Sequence, residues 1–361
     1  YVGALIAKKY YAGMLSLLAY PIMGHHAGLY DYPDYNSILE KPIPPGVDSS
    51  PCGINLQQPH APKDKKPYDF NHIIRMLFSC LVDADFLDTE RYMKPQESLY
   101  RQGKKSLKEL KPLLDDYLSR LRTDAPQSSL NEIRNEIQDL CLGKSASAPG
   151  FYSLTVPTGG GKTLSSLVWA MNHAIRYGKA RIIIAIPYTS ITVQTARVLK
   201  GIFGSENVLE HHSNMSFENR SDVDDYVAES MKLATENWDY PIIVTTNVQL
   251  FESIYSNKPS HCRKLHNICN AVLILDETQT LPTSFLQPML NALKTYQRQF
   301  GLSVLFTTAS QPKWDDYVNP NNPNTKLDGI NDITEIIPDD LMLYDKLRRV
   351  DIHMEAGTTT A

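Results

Sequence analysis

Hydrophobic positions in the first part of the chain recur at helical spacing, and one proline-rich stretch interrupts them. Residues 1–30 are largely apolar and are predicted to be helical. Residues 31–68 contain eight prolines, which predicts a long irregular loop. Three further helices are predicted over about 70–92, 98–122 and 129–142.

The pattern changes after Pro149. Five short apolar runs now alternate with helical stretches, and they read FYSLTV, RIIIAI, IIVTT, AVLILD and LSVLFTT. Strands that alternate with helices predict an α/β fold whose parallel sheet is covered on both faces. The segment 143–150, which contains serines, a proline and glycines, is the predicted domain boundary.

A glycine-rich segment, here called the phosphate loop, follows the first predicted strand and opens a helix. Residues 157–163 read PTGGGKT. The glycines allow backbone N–H groups to surround phosphates, and the helix N-terminus adds its positive end. Lys162 can reach the β- and γ-phosphates, and the Thr163 hydroxyl can ligate Mg²⁺. The predicted nucleotide-binding residues are Thr158, Gly159, Gly160, Gly161, Lys162 and Thr163.

A later apolar run ends in two carboxylates. Asp276 and Glu277 follow the run AVLIL, and ligands bind at the carboxyl edge of open α/β sheets. Asp276 is predicted to hold Mg²⁺, and Glu277 to orient and deprotonate the attacking water. Lys162, Asp276 and Glu277 are therefore the candidate catalytic residues. Alone, a strand-end Asp-Glu pair is equally compatible with a solvated turn, and the phosphate loop upstream favours the catalytic interpretation.

Weaker segments place small polar groups at the ends of other predicted strands. Such donors suit the backbone phosphates of a single nucleic-acid strand, although a plain loop uses the same residue types. The candidate nucleic-acid contacts are Pro187, Thr189, Thr246, Asn247 and Gln249, and a further segment supplies Thr308, Ala309 and Ser310. Arg134, in the helix before the phosphate loop, is a candidate contact to adenine.

In this order and spacing the segments resemble the motifs of superfamily 2 helicases. Residues 150–315 are similar to the first RecA-like lobe of a DExD/H-type helicase, whose phosphate loops often read PTGxGKT. Val156 replaces the first glycine of the general phosphate-loop pattern. The resemblance implies ATP and Mg²⁺ as cofactors and a coupling role for residues 308–310. Gln279 stands where His or Asp is commoner, which loosens the assignment to a subfamily.

Residues of the first half suggest a separate metal site. His25 and His26 are adjacent, and imidazole suits first-row transition metals. Asp85 falls on the helical stripe of Leu77 and Leu81, which predicts a buried carboxylate that needs a partner or a metal. The alternatives are a surface histidine pair and a salt-bridged acid.

The combination of GHHAGL, LVDAD and PTGGGKT resembles the HD nuclease–helicase fusion of type I CRISPR systems. The resemblance implies that His25, His26 and Asp85 ligate a divalent transition metal. It favours Asp85 over Asp83 as the carboxylate ligand. The implied domains are a partial, all-α HD-type nuclease domain over 1–122, a helical linker over 123–149 and the first helicase lobe over 150–361. Further parts of both domains are expected outside this chain, so the chain alone is expected to be inactive.

The resemblance also implies a function and partners. The expected function is ATP-driven 3′ to 5′ movement along single-stranded DNA, coupled to metal-dependent cleavage of that strand in antiviral defence. The expected partner is a Cascade-type surveillance complex at a guide-RNA R-loop. Two other functions stay open: a generic superfamily 2 helicase without nuclease activity, and a nucleotide-gated interaction module.

Composition restricts how these functions can work. The net charge of −4 gives no overall attraction to nucleic acid, so any such contact must come from a local groove. Five cysteines without a CxxC pair predict a reduced, cytoplasmic protein. No apolar run reaches the length that crosses a membrane.

Overall fold

Seven strands form one sheet in which every neighbouring pair is parallel. The structure, a computed structural model, describes residues 1–10, 17–49, 66, 68–213, 225–310, 312–319 and 322–347. The strands are β1 Phe151–Thr155, β2 Arg181–Ile186, β3 Val208–His211, β4 Ile242–Thr246, β5 Ala271–Leu275, β6 Ser303–Thr308, β7 Tyr317–Asn319, β8 Asn322–Leu327 and β9 Ile333–Glu335. The order across the sheet is β3-β4-β2-β5-β6-β1-β9, and β7 and β8 form a separate antiparallel pair.

The sheet confirms the predicted α/β fold, and all five predicted strands form. Every residue of β2, β4, β5 and β6 is buried, as expected of parallel strands covered on both faces. The two remaining strands of the sheet, β3 and β9, were not predicted. They are four and three residues long and lie at the two edges, where a short segment carries little pattern of its own.

Helices cover both faces of the sheet. They are α1 Val2–Tyr10, α2 Ala19–Gly24, α3 Tyr32–Leu39, α4 Asp69–Met93, α5 Pro95–Leu99, α6 Leu107–Asp124, α7 Ser129–Lys144, α8 Lys162–Arg176, α9 Thr189–Phe203, α10 Asp225–Asn237, α11 Asn247–Tyr255, α12 Pro259–Cys262, α13 Leu286–Phe300 and α14 Leu343–Lys346. α6, α7, α8 and α9 bury apolar side chains on one face, among them Trp169 and Ile137. α4, α10, α11 and α13 cover the other, with Phe78 and Tyr296 fully enclosed. Burial of this apolar area is the main stabilising contribution to the fold.

The predicted loop over 31–68 is wrong in its first part, because α3 forms there. Pro33 lies in the first turn of α3, where the N–H that proline lacks would have no helical partner. Tyr35 and Leu39 are buried against α1 and α2 in a small apolar cluster. Residues 50–65 of the predicted loop lie outside the described residues.

Two predicted helices have different bounds in the structure. The helix expected over 1–30 comprises α1 and α2, and residues 11–16 between them lie outside the described residues. The helix expected over 98–122 begins later, at α6, because Ser106 caps it. The Glu109 carboxylate accepts the Ser106 N–H at 2.8 Å, and the Ser106 hydroxyl accepts the Glu109 N–H.

α4 forms where predicted but buries a different face. Leu77 and Leu81 are 40% and 37% exposed, and Asp85 is exposed beside them. Met76 and Val82 instead pack on the sheet. The predicted buried position of Asp85 is therefore wrong. Apolar residues occupy more than one side of this helix, and packing against the sheet decides which side is enclosed.

Two observations concern the described residues as a whole. None of the described helices combines the length and the apolar content needed to cross a bilayer. The four cysteines within the described ranges are free thiols, and two of them, Cys141 and Cys262, are buried.

Candidate nucleotide-binding site

The phosphate loop joins β1 to α8 at the carboxyl edge of the sheet. β1 lies between β6 and β9. The N–H of Val156, which precedes the loop, donates to the Thr308 carbonyl at 3.1 Å and so ties the loop to the end of β6. Gly159 and Gly161 have φ angles of 89° and 85°, a left-handed region that glycine adopts without steric cost.

Gly160 is restricted by space. A Cβ at this position would collide with the Val156 side chain and would lie 3.1 Å from Leu347 Cδ1. Val156 is fully buried and stands where the general pattern has glycine. The Val156 side chain therefore fits because residue 160 is a glycine and has no side chain to collide with it.

Lys162 and Glu277 form an ion pair across the sheet edge. Lys162 Nζ donates to Glu277 Oε1 at 2.7 Å, and the two side chains are 12% and 27% exposed. Lys162 is the first residue of α8, and Glu277 follows β5, which is separated from β1 by β6. Thr158 and Thr163 are exposed on the loop and at the helix start, where a ligand can reach them.

Asp276 is held by its own neighbours at the end of β5. Its Oδ1 accepts from the Thr307 hydroxyl and from the Glu277 N–H at 3.0 Å. Burial raises the pKa of Asp276 above its usual value. Burial also raises the pKa of Glu277, but the bonds from Lys162 and Gln279 outweigh it, so that pKa lies below its usual value.

A chain of hydrogen bonds links the end of β6 to the phosphate loop. Thr308 Oγ1 lies 2.7 Å from Gln279 Oε1, and Gln279 Nε2 donates to Glu277 Oε2 at 2.6 Å. Glu277 then contacts Lys162. Glu277 has a φ of 47°, which is uncommon outside glycine and marks a tight turn directly after the strand. Thr308 also accepts the Ser310 N–H at 3.2 Å.

The candidate nucleic-acid contacts lie along the same edge, after the adjacent strands β4 and β2. Thr246 is the N-cap of α11, and its hydroxyl accepts the Gln249 N–H at 3.1 Å. Asn247 is buried, and its Oδ1 has no hydrogen-bond partner among the residues that the structure describes. Pro187 is half-buried just before α9, and Thr189 is the first residue of that helix. The Thr246 hydroxyl thus accepts a bond from its own helix, and its O–H can donate to a ligand oxygen without breaking this cap.

Arg134 contacts the phosphate loop from α7. Its Nε and Nη2 donate to the Gly159 carbonyl at 3.0 and 2.9 Å. A cavity of about 560 Å³ lies beside it, and Gln127, Gly161 and Leu164 are among its lining residues. The volume is within the range of small-molecule sites in proteins.

The segment that carries this site matches a known protein family. A protein-family model described as DEAD/DEAH box helicase matches residues 127–316, more than half of the chain.

The chain belongs to the DEAD/DEAH box helicase family.

The matched residues contain the phosphate loop, the Asp-Glu pair and the polar strand ends of this helicase, and they begin at the connection before α7.

Curated relatives of this helicase carry a more specific name. A CRISPR-associated nuclease/helicase Cas3 from Haloferax volcanii is 28% identical over 228 residues, which cover 55% of this chain and 24% of the relative. A counterpart from Methanocaldococcus jannaschii is 29% identical over 158 residues, which cover 41% of this chain and 21% of the relative. The helicase chain thus spans about a quarter of the length of the curated relatives it matches.

Solved structures share the fold of this helicase. The crystal structure of T. fusca Cas3 with AMPPNP has a TM-score of 0.51 at 15% identity, covering 82% of this chain and 37% of that chain. The T. fusca Cas3-ADP structure has a TM-score of 0.52 at 14% identity, with 86% and 38% covered. At this identity the likeness concerns the fold, and it agrees with the expected RecA-like lobe.

The candidate metal ligands of this helicase are only partly gathered. His26 and Asp85 line one cavity of about 470 Å³ between α4 and α10. The His25 and His26 rings lie 3.9 Å apart, and His25 Nδ1 is 2.7 Å from the Ile22 carbonyl oxygen. Within the described ranges no three His, Cys, Asp or Glu side chains are grouped closely enough to hold a metal ion. These residues therefore do not form a complete donor set among themselves.

Asp83, the less favoured ligand, is one of two buried acids of α4, and the other is Asp69 at its first position. Asp83 is 3% exposed, and its Oδ1 accepts from Arg263 Nε at 2.9 Å. Arg263 also pairs with Glu236 at 3.0 Å and lies over the Phe86 ring. Asp83 thus has the ion-pair partner that a buried carboxylate requires, and the partner comes from the helicase-family segment.

Two contacts of the site had little or no signal in the sequence. Thr307 directly precedes residues 308–310 in the segment of small donors expected to suit nucleic-acid phosphates, whereas in the structure its hydroxyl binds Asp276. Arg134 was considered for adenine alone, whereas its guanidinium binds the loop backbone. Bonds to backbone carbonyls depend on loop geometry, which residue types do not reveal.

Proposed function

We propose that the chain binds Mg²⁺-ATP at the phosphate loop and hydrolyses it to drive movement along single-stranded DNA in CRISPR interference. The observation that carries the proposal is the contact between Lys162 and Glu277 beside the glycines of the loop. Membership of the helicase family supports the ATP-dependent reaction. The names of the curated relatives support the CRISPR setting. A cytoplasmic location is part of the same proposal.

Nucleotide binding exchanges partners at Lys162. In the structure its ammonium group is bound to Glu277. When a triphosphate enters the loop, Lys162 moves to the β- and γ-phosphate oxygens, and the Glu277 carboxylate is released. The freed carboxylate then orients the attacking water and accepts its proton. Thr163 and Asp276 are the residues that would hold Mg²⁺, which would supply charge neutralisation at the phosphates.

The end of β6 is connected to both carboxylates of the site by hydrogen bonds. Thr307 binds Asp276, and Thr308 contacts Gln279, which in turn binds Glu277. A displacement of the Glu277 carboxylate therefore alters the contacts of Gln279 and, through it, of Thr308. Ala309 and Ser310 continue the same segment after Thr308, which is the basis for a coupling role of residues 308–310.

Single-stranded DNA is proposed to lie along the carboxyl edge of β4 and β2. Pro187, Thr189, Thr246, Asn247 and Gln249 provide small polar and backbone groups there. Such groups position a phosphate backbone without reading bases. The Oδ1 of Asn247, which has no partner within the described part of the chain, supports a contact with a ligand donor at this edge.

The test uses the full-length protein that contains this chain. We expect ATP hydrolysis that single-stranded DNA stimulates, that Lys162→Ala abolishes, and that Lys108→Ala, a change of an exposed lysine on α6, leaves intact. ATP binding without phosphate release would instead favour the nucleotide-gated interaction module. Hydrolysis stimulated equally by RNA and DNA would favour a generic helicase.

A nuclease role is the second candidate. His26 and Asp85 share one cavity, and the curated relatives are named nuclease/helicase. We propose that this chain contributes part of a metal-dependent nuclease site of a longer protein recruited by a Cascade-type complex. Cleavage of circular single-stranded DNA should need a divalent metal and should be lost in His26→Ala while ATP hydrolysis persists. Normal cutting by His26→Ala would reject this assignment.

A further inference from the structure

Arg134 binds the phosphate loop in an unusual way for a residue close to a nucleotide pocket. Two of its three guanidinium nitrogens donate to one acceptor, the Gly159 carbonyl, at 3.0 and 2.9 Å. The third, Nη1, donates to Asn131 Oδ1 at 3.2 Å. Its Cγ would lie 3.4 Å from a Cβ placed on Gly161. The side chain therefore meets the loop with both its charged end and its aliphatic stem.

These bonds fix a peptide unit of the loop at both ends. The Gly159 carbonyl is held by Arg134, and the N–H of the same peptide, which belongs to Gly160, donates to the Pro157 carbonyl at 3.1 Å. A peptide is planar, so holding both of its polar groups removes its rotation. Because glycine has the largest conformational freedom, a triglycine loop gains more order from such a restraint than other sequences do.

The helix that carries Arg134 is itself rigidly placed. α7 buries Ile133 and Ile137 in the core of the sheet. Ser128 caps its N-terminus by accepting the Asn131 N–H at 3.3 Å, and the Asn131 amide donates to the Pro126 carbonyl at 2.9 Å. The guanidinium is thus delivered from a fixed element, and its position does not depend on a nucleotide.

We propose that Arg134 is a positioning residue that holds the phosphate loop in its phosphate-binding shape before ATP arrives. The inference rests on the proposed nucleotide site and deepens it. It replaces the expectation that Arg134 contacts adenine, because three of its five N–H groups, one on each nitrogen, already bind the loop and Asn131. A loop ordered in advance binds phosphates without a further loss of conformational entropy.

The test separates a phosphate effect from a base effect. Affinities of Mg²⁺-ATP and of Mg²⁺-tripolyphosphate, which has no base, are measured by calorimetry for wild type, Arg134→Ala and Arg134→Lys. Arg134→Ala should weaken both ligands by the same factor, about tenfold, since charge-assisted hydrogen bonds are lost on the protein side. Arg134→Lys, which keeps one donor, should recover part of the loss, and guanidinium at tens of millimolar should partly rescue Arg134→Ala.

Controls exclude a general effect on folding. Arg122→Ala removes an exposed ion pair with Asp139 beside the same cavity but touches no residue of the loop, so both affinities should be unchanged. Thermal melts of all variants report on the fold, and guanidinium rescue does not occur for a misfolded protein.

Each other outcome has a defined meaning. A loss of ATP affinity with unchanged tripolyphosphate affinity would overturn the inference in favour of an adenine contact. Equal affinities in wild type and Arg134→Ala would show that the bonds to Gly159 do not prepare the loop. Failure of the proposed function looks different, because wild type itself would then bind neither ligand and Lys162→Ala would change nothing.

Discussion

Replacing Glu277 by glutamine should tighten ATP binding while it slows hydrolysis. The ion pair between Lys162 and Glu277, 2.7 Å long, would compete with phosphate for the lysine. Glutamine keeps the size and one acceptor oxygen of the side chain but removes its charge. ATP binding to the variant therefore no longer has to break an ion pair.

The size of the effect follows from the exposure of the two side chains. They are 12% and 27% exposed, between a surface pair and a buried one. Exposed pairs contribute about 0.2–1 kcal/mol, and breaking this partly enclosed pair should cost near the upper end, about 1 kcal/mol. That value corresponds to roughly fivefold tighter ATP binding. Hydrolysis should fall by about 10²- to 10⁴-fold, because a general base is lost.

The assay measures affinity and turnover separately. Calorimetry with Mg²⁺-ATP gives the dissociation constant of the slowly hydrolysing variant, and phosphate release gives the rate in the presence of single-stranded DNA. Glu136→Gln, which neutralises an exposed carboxylate of α7, controls for the change in net charge. An unchanged or weaker affinity of Glu277→Gln would refute the exchange of partners at Lys162, even if hydrolysis were lost.

Other variants test the packing around the site. Gly160→Ala should weaken Mg²⁺-ATP binding at least tenfold, because its methyl group has no space, whereas Gly143→Ala, with nothing within 4 Å of its Cβ, should bind normally in the same titration. Arg263→Met should lower the free energy of unfolding in urea by about 3–5 kcal/mol, because it leaves Asp83 buried without its ion-pair partner at 2.9 Å; a change below 1 kcal/mol would contradict this. Burial lowers the pKa of His173 from 6.5 to about 4. The unfolded chain then binds a proton that the native ring does not, so the free energy of unfolding should fall as pH drops from about 6.5 to about 4, by up to about 3 kcal/mol, and His173→Gln should show a shallower fall.

The strands were predictable because their physical requirement is visible in residue types. A strand buried on both faces must be apolar throughout, and RIIIAI and AVLIL meet that condition. The apolar character of a strand does not show which other strands lie next to it in the sheet. That β1 lies between β6 and β9 depends on contacts between residues more than a hundred positions apart.

The buried face of α4 shows where the pattern becomes ambiguous. Leu77 and Leu81 have the correct spacing for a core stripe, but Met76 and Val82 have a similar character one residue away. The packing of α4 against the sheet determines which of these two faces is buried. Asp83 illustrates the same limit, because the residue that neutralises it is Arg263, from a helix 180 positions later in the chain.

The candidate site was predictable to the level of motifs. The glycines, Lys162 and the Asp276–Glu277 pair each occur in a context that favours a triphosphate, and the structure brings Lys162 and Glu277 together. Their catalytic roles stay predictions until the variants are measured. The supporting bonds from Arg134 and Thr307 end on a backbone carbonyl and on a buried carboxylate, and no spacing rule predicts either.

The position of β1 in the sheet has a consequence for how the chain is made. Phe151 in β1 lies opposite Val304 of β6 and Ile333 of β9, and β1 does not pair with the strand that follows it in sequence. About 150 residues separate β1 from β6. Synthesis of these residues at about 5–20 residues per second takes roughly 8–30 s, and β1 lacks its first neighbouring strand during that time. The tether from Val156 to Thr308 is delayed equally. A nascent chain halted before β6 therefore has most of its helices but lacks the strand against which the glycine turn is anchored.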